Sequence, residues 1–129
     1  DRLGAGAAAT RRRLQHTILQ EGLNTRKMKE RQILVIVKRP GEPPELEPLF
    51  ENTLEAFQRA VGGYIETCTF ASDAAIICNE EGRLQRLPYN CTLLGMDFFG
   101  TVLIAGVKGD EFASVRGSSI PMLMRLFGK

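Results

Sequence analysis

What this chain lacks narrows its chemistry before any motif is considered. It has one histidine, His16, and none between residues 28 and 129. A histidine-centred acid–base or nucleophilic mechanism is therefore excluded from that region. The three cysteines, Cys68, Cys78 and Cys91, are odd in number and lack C-x-x-C spacing. They make neither a disulfide framework nor a zinc site, so no metal and no cofactor is expected. Cys68 and Cys78 read instead as small apolar residues of neighbouring strands. No apolar run reaches the roughly 18 residues of a membrane-spanning helix, and no short apolar stretch follows the N-terminal basic residues. The reading is of a domain with no membrane partner in a reducing, cytoplasmic compartment. The glycines fit neither G-x-G-x-x-G nor G-x-x-x-x-G-K-S/T, and they serve as punctuation.

Charge is unevenly distributed. Residues 1–32 hold eight Lys/Arg against three acids, a balance of +5, while the other 97 residues hold nine against twelve, a balance of −3. Arg11, Arg12, Arg13, Arg26 and Lys27 are the candidate phosphate contacts, through salt-dependent and sequence-independent attraction. No aromatic residue is interleaved among them for base stacking. Residues 5–21 are Ala-rich, with Leu14, Ile18 and Leu19 near one helical face and Gly22 as a stop. Residues 1–27 are expected to be a basic extension, either an upstream addition or a short appended helix. The patterned domain is expected over 28–129.

Within that span, Ile33–Val37 reads as a strand buried on both faces, followed by the turn K-R-P-G-E-P-P and an edge strand over 45–50. Asn52 is expected to cap a helix over about 52–62, with Glu55 completing a capping box and Leu54, Phe57 and Val61 forming its apolar stripe. Gly62-Gly63 stops that helix and leads into a strand at Tyr64–Cys68. Ala74–Cys78 and Gly100–Gly106 read as further strands, and Arg83–Leu87 as the second arm of a hairpin turned at Asn79–Gly82, with Gly82 free to take a left-handed backbone. Leu93–Phe99 fits a short helix or a loop. Met122, Leu123, Leu126 and Phe127 mark a C-terminal helix over about 119–127, with Pro121 in its first turn. The fold class is α+β: a single domain with a mixed, mostly antiparallel sheet of about five to six strands, a central capped helix and a C-terminal helix, plus the N-terminal helix if it forms.

The blocks N-T-L-E-A-F-Q-R-A-V-G-G-Y-I-E (52–66), I-C-N-E-E-G (77–82), L-P-Y-N (87–90) and G-T-V-L-I-A-G (100–106) resemble a small bacterial domain family of unknown function. The resemblance spans about residues 32–116. It implies a habitat in Gram-positive gut bacteria, their phages and conjugative elements, and no mechanism.

Two patches stand out as candidate sites. If Tyr64 and Glu66 share the face opposite Ile65, they form a polar ligand surface with Asn79 or Asn90. Met96, Phe98 and Phe99 form an apolar group that suits either a partner or the core. Glu80-Glu81 and Asp110-Glu111 are solvated turn carboxylates. The function expected is a non-enzymatic accessory module of a phage or mobile genetic element that binds a protein and inhibits a host defence system. The alternatives are a module that binds a nucleotide signal and a nucleic-acid binder acting through the basic arm.

Overall fold

The computed structural model describes residues 31–71 and 73–127. The N-terminal helix and Arg11, Arg12, Arg13, Arg26 and Lys27 lie outside the described residues. The β-branched run becomes β1, Gln32–Lys38, buried from Val35 to its end. It turns back into β2, Glu45–Glu51, in which every residue but Phe50 is exposed. Pro48 is tolerated there because β2 is the outermost strand, and a missing N–H on an outer edge breaks no ladder.

Helix α1, Leu54–Val61, is capped one residue later than expected. Thr53, in extended conformation, is the N-cap, and its Oγ1 accepts from the Ala56 N–H at 3.1 Å. Asn52 is buried instead, with Nδ2 donating to the Phe112 carbonyl at 3.1 Å. Either residue type can cap, and a distant carbonyl decides between them. At the other end Gly62 takes φ 83° and donates to the Gln58 carbonyl, closing the helix in the left-handed conformation that glycine adopts without strain.

Strands β3 (Ile65–Ala71) and β4 (Ala74–Asn79) then pair, and β4 is buried at every residue. Residues 80–86 are not the expected hairpin arm. They form successive turns, with the Gln85 N–H on the Glu81 carbonyl at 2.8 Å and the Leu87 N–H on the Gly82 carbonyl at 3.0 Å. Leu84 and Leu87 are three apart, a helical rather than a strand spacing, and Leu84 is 80% exposed. Gly82 has no left-handed backbone; a Cβ there would sit 2.7 Å from the Phe99 carbonyl oxygen. Residues 93–99, read as helix or loop, belong to a hairpin of β5 (Tyr89–Leu93) and β6 (Met96–Phe99). Leu94 (φ 54°) and Gly95 (φ 76°) form its two-residue loop, the left-handed geometry that suits a twisted hairpin.

Strand β7 (Val102–Lys108) runs between β1 and β4, and the short β8 (Glu111–Ala113) pairs with its far end. A 3₁₀ turn at Gly117–Ser119 leads into α2, Ile120–Phe127. The main sheet has the order β2-β1-β7-β4-β3, with β8 on β7, and every pairing in it is antiparallel. The expected sheet of five to six strands is thus a six-stranded one, with the separate hairpin as an addition to it.

The sheet is covered on both faces. On one, Val35, Val37, Ile77 and Leu103 pack against Phe57 and Val61 of α1. On the other, Ile36, Ile76 and Ile104 pack against Leu93 and Phe98 of the hairpin and Leu123 and Phe127 of α2. This explains why β1, β4 and β7 are apolar without alternation. Met122 lies outside that core and is exposed.

Candidate functional site

The strand period of two sorts the candidate residues onto different faces. In the β3–β4 pair Glu66 stands opposite Cys78, and Cys68 opposite Ile76. These side chains point to the hairpin face, where Cys78 and Cys68 join the core. The hairpin rests on that face through Leu93 and Phe98, leaving a cleft of about 440 Å³ between β6 and the ends of β3 and β4. Glu66, Asn79, Glu80, Arg83, Met96 and Phe99 are among its lining residues, and buried Phe98 forms part of its floor.

The cleft thus brings together Glu66 and Asn79 with Met96, Phe98 and Phe99. It does not bring in Tyr64 or Asn90. Tyr64 is 55% exposed and lies off the cleft lining. Asn90 is buried on the hairpin, where its Nδ2 donates to the carbonyls of Lys38 and Gly100, both at 2.8 Å, and its Oδ1 accepts from Lys38 Nζ at 3.0 Å.

Asn79, 6% exposed, is also occupied by the fold. Its Nδ2 donates to the Val61 carbonyl at 3.0 Å and to Gln85 Oε1 at 3.2 Å, while its Oδ1 accepts from the Glu81 N–H at 2.7 Å. One amide thereby ties the end of α1 to the turn after β4, and both of its N–H donors are spent within the fold. Asn79 points toward α1 and Asn90 sits beneath the hairpin, on the other side of the sheet. The four-residue polar patch does not form.

The rim of the cleft is an ordered polar and aromatic band. The Arg83 guanidinium lies 4.7 Å from the Phe99 ring centroid and 3.6 Å from Asp97 Oδ2. Phe99 meets the Tyr89 ring edge-on with centroids 5.7 Å apart. Thr92 Oγ1 donates to Asp97 Oδ1 at 2.6 Å and so accepts from the Tyr89 hydroxyl, also at 2.6 Å. Met96, 39% exposed, stands at the mouth. Behind the hairpin, burial pushes the Cys91 thiol above its ordinary range, against a smaller opposing pull from the Lys38 charge.

Arg83, Asp97 and Lys38 were not singled out from the sequence. Arg83 meets Phe99 sixteen residues later, and Lys38 meets Asn90 fifty-two residues later, so no local pattern announces either contact. Among the described residues no group of three or more His, Cys, Asp or Glu is placed to hold a metal ion, and no helix is long and apolar enough to cross a membrane.

Residues 28–128 match the model of the domain of unknown function DUF3846, and the chain belongs to that family. No curated protein and no solved structure matches the chain.

Proposed function

We propose that this DUF3846 domain is a non-enzymatic binding module, carried by a phage or mobile genetic element, that docks onto a protein of the host, a defence component being the target. The observation that carries the reading is the mouth of the cleft, where half-exposed Met96 and Phe99 stand beside Arg83. Aromatic residues, methionine and arginine are the types enriched at protein interfaces. Methionine adapts its shape to a partner, and an arginine stacked on an aromatic ring is already ordered before contact. The habitat and the defence target rest on the family resemblance alone.

The nucleotide alternative has less support, because Asn79 and Asn90 are engaged by main-chain groups of the fold and Tyr64 lies off the cleft. Nucleic-acid binding through the basic arm rests on residues 1–27, and deletion of that arm tests it directly.

The docking reading is tested by affinity capture from the lysate of a bacterial host, with the full chain and with Met96→Glu. A specific protein retained by the parent and lost with Met96→Glu, at unchanged Tm, supports it. Identical capture by both, or no specific capture by either, counts against it.

A further inference from the structure

The face of the sheet that α1 covers is not filled to its edge. Phe57 and Val61 reach the core beside Val35, Val37 and Ile77. The next row of the helix, Ala56, Arg59 and Ala60, is spaced i, i+3, i+4 and faces β2. Two of its three side chains are single methyl groups. They leave a cavity of about 400 Å³ between the helix and β2, walled by Val37 and Phe50. That volume lies within the range of small-ligand sites, about 300–1,000 Å³. The cavity is on the opposite face of the sheet from the hairpin and its cleft.

Register decides which charges enter it. Glu45 stands opposite Val37 and Glu47 opposite Val35, so both point to the helix side with those valines. Glu51 follows Phe50, which packs on Phe57 with ring centroids 4.8 Å apart, and alternation turns its carboxylate to the other face. Glu45 is already compensated, because Arg39 Nη1 holds it at 3.2 Å. What remains is one carboxylate, Glu47 on β2, and one guanidinium, Arg59 on α1. Both line the cavity, and among the described residues neither side chain has an ion pair or a hydrogen bond.

Two opposite charges therefore stand across an apolar floor without neutralising each other. An anion placed there gains Arg59 but meets Glu47, and a cation does the reverse. A ligand carrying both signs gains at both ends. Two charge-assisted bonds of about 2.8 Å, added to the ligand's own charge spacing, join the two side chains while keeping them apart.

We infer that this cavity binds a free α-amino acid with an apolar side chain, its ammonium on Glu47, its carboxylate on Arg59, and its side chain against Phe50 and the methyl groups of Ala56 and Ala60. This goes beyond the docking reading, which concerns the opposite face, and stands without it. Glu47 and Arg59 are both exposed, so solvent screens them. The affinity is accordingly modest, with a Kd of about 1 mM or tighter expected.

The test titrates L-leucine into the isotopically labelled full chain and follows the amide signals by NMR. Shifts are expected at Glu47, Phe50, Ala56, Arg59 and Ala60, and not at Met96 or Phe99. N-acetyl-L-leucine lacks the ammonium and L-leucinamide lacks the carboxylate, and each is expected to bind at least about tenfold more weakly. Glycine, without the apolar side chain, is expected to do the same.

Three variants separate the contacts from the fold. Arg59→Gln is expected to weaken leucine about tenfold and leave leucinamide unchanged. Glu47→Gln is expected to weaken leucine equally and leave N-acetyl-L-leucine unchanged. Ala60→Leu fills the cavity and is expected to abolish binding, with Tm as the check on the fold. Should Ala60→Leu unfold, the two variants at exposed charges still decide.

No shift with leucine up to about 10 mM overturns the inference. Equal binding of leucine and both blocked forms overturns it, as do shifts centred on the hairpin cleft. Tighter binding of inorganic phosphate or of 1,4-diaminobutane than of leucine overturns it too, in favour of a site for one sign of charge.

Discussion

Asn90 holds Lys38 at two points: its Oδ1 accepts from the ammonium at 3.0 Å, and its Nδ2 donates to the main-chain carbonyl of the same lysine at 2.8 Å. Lys38 is buried, and its Nζ also donates to the Arg39 carbonyl at 3.0 Å. A buried ammonium survives in a fold only where its protons are satisfied. This contact also fastens the hairpin to the end of β1.

Asn90→Ala is therefore expected to destabilise the domain by about 2–4 kcal/mol, because it removes a charged hydrogen bond and leaves two buried carbonyls short of a donor. Urea unfolding at neutral pH measures it, and a loss under about 1 kcal/mol contradicts the role assigned to this amide.

The cap of α1 separates two adjacent residues by experiment. Thr53→Ala is expected to cost about 1 kcal/mol through the lost bond to Ala56. Glu55→Ala is expected to change stability by less than about 0.5 kcal/mol, as for an ordinary surface position. A capping box from Asn52 to Glu55 makes the opposite forecast for Glu55, so the pair of variants discriminates.

Two glycines of the hairpin region respond for different reasons. Gly82→Ala forces a Cβ against the Phe99 carbonyl, which is main chain and cannot rotate away. The expected cost is about 1–3 kcal/mol, as for overpacking. Gly95 has open space around its Cβ position but φ 76°. Gly95→Ala is expected to cost about 1 kcal/mol of left-handed strain, and Gly95→Asn less. Thermal unfolding of the three variants gives the order.

Cys91 supplies a pH dependence with a defined sign. Burial raises its folded pKa above the unfolded thiol value, so the fold favours the protonated form. The associated stability is fully present below the unfolded pKa and is lost as pH rises through the folded one. Cys91→Ser is expected to flatten the alkaline fall in Tm that begins near the unfolded thiol pKa and continues upward through the raised folded one. An identical alkaline slope in both proteins contradicts this. Alkylation of Cys91 at neutral pH is expected to be slow relative to a free thiol, since the thiolate is the reactive form.

The strands at the centre of the sheet were legible because both their faces are buried. Ile33–Val37, Ala74–Cys78 and Val102–Ile104 are continuous apolar runs that no amphipathic helix would carry. The hairpin at residues 89–99 was hidden because Leu94 holds a left-handed position where Asn or Asp usually advertises the turn. Asn79 and Asn90 resembled ligand-binding side chains because their partners are main-chain groups distant in sequence, among them Val61, Lys38 and Gly100. Glu66, Met96 and Phe99 were found by type and position, but only the packing of the hairpin over β3 and β4 makes them neighbours of one cleft.

The position of β7 bears on how the chain is made. β1 and β4 are not neighbours; each pairs with β7, and the pairing Ile36↔Ile104 joins residues 68 apart. On a ribosome, β1–β2 and β3–β4 emerge as two separate ribbons, each with a buried face still uncovered. The helix at 54–61 can cover one face, but the edges that pair with β7 stay open until residues 102–108 are out. Early local order cannot mature into the sheet, and long-range pairing of this kind is slow. The nascent chain is open to chaperones and to aggregation over most of its synthesis. It commits to its fold late, when one strand slides between the two halves.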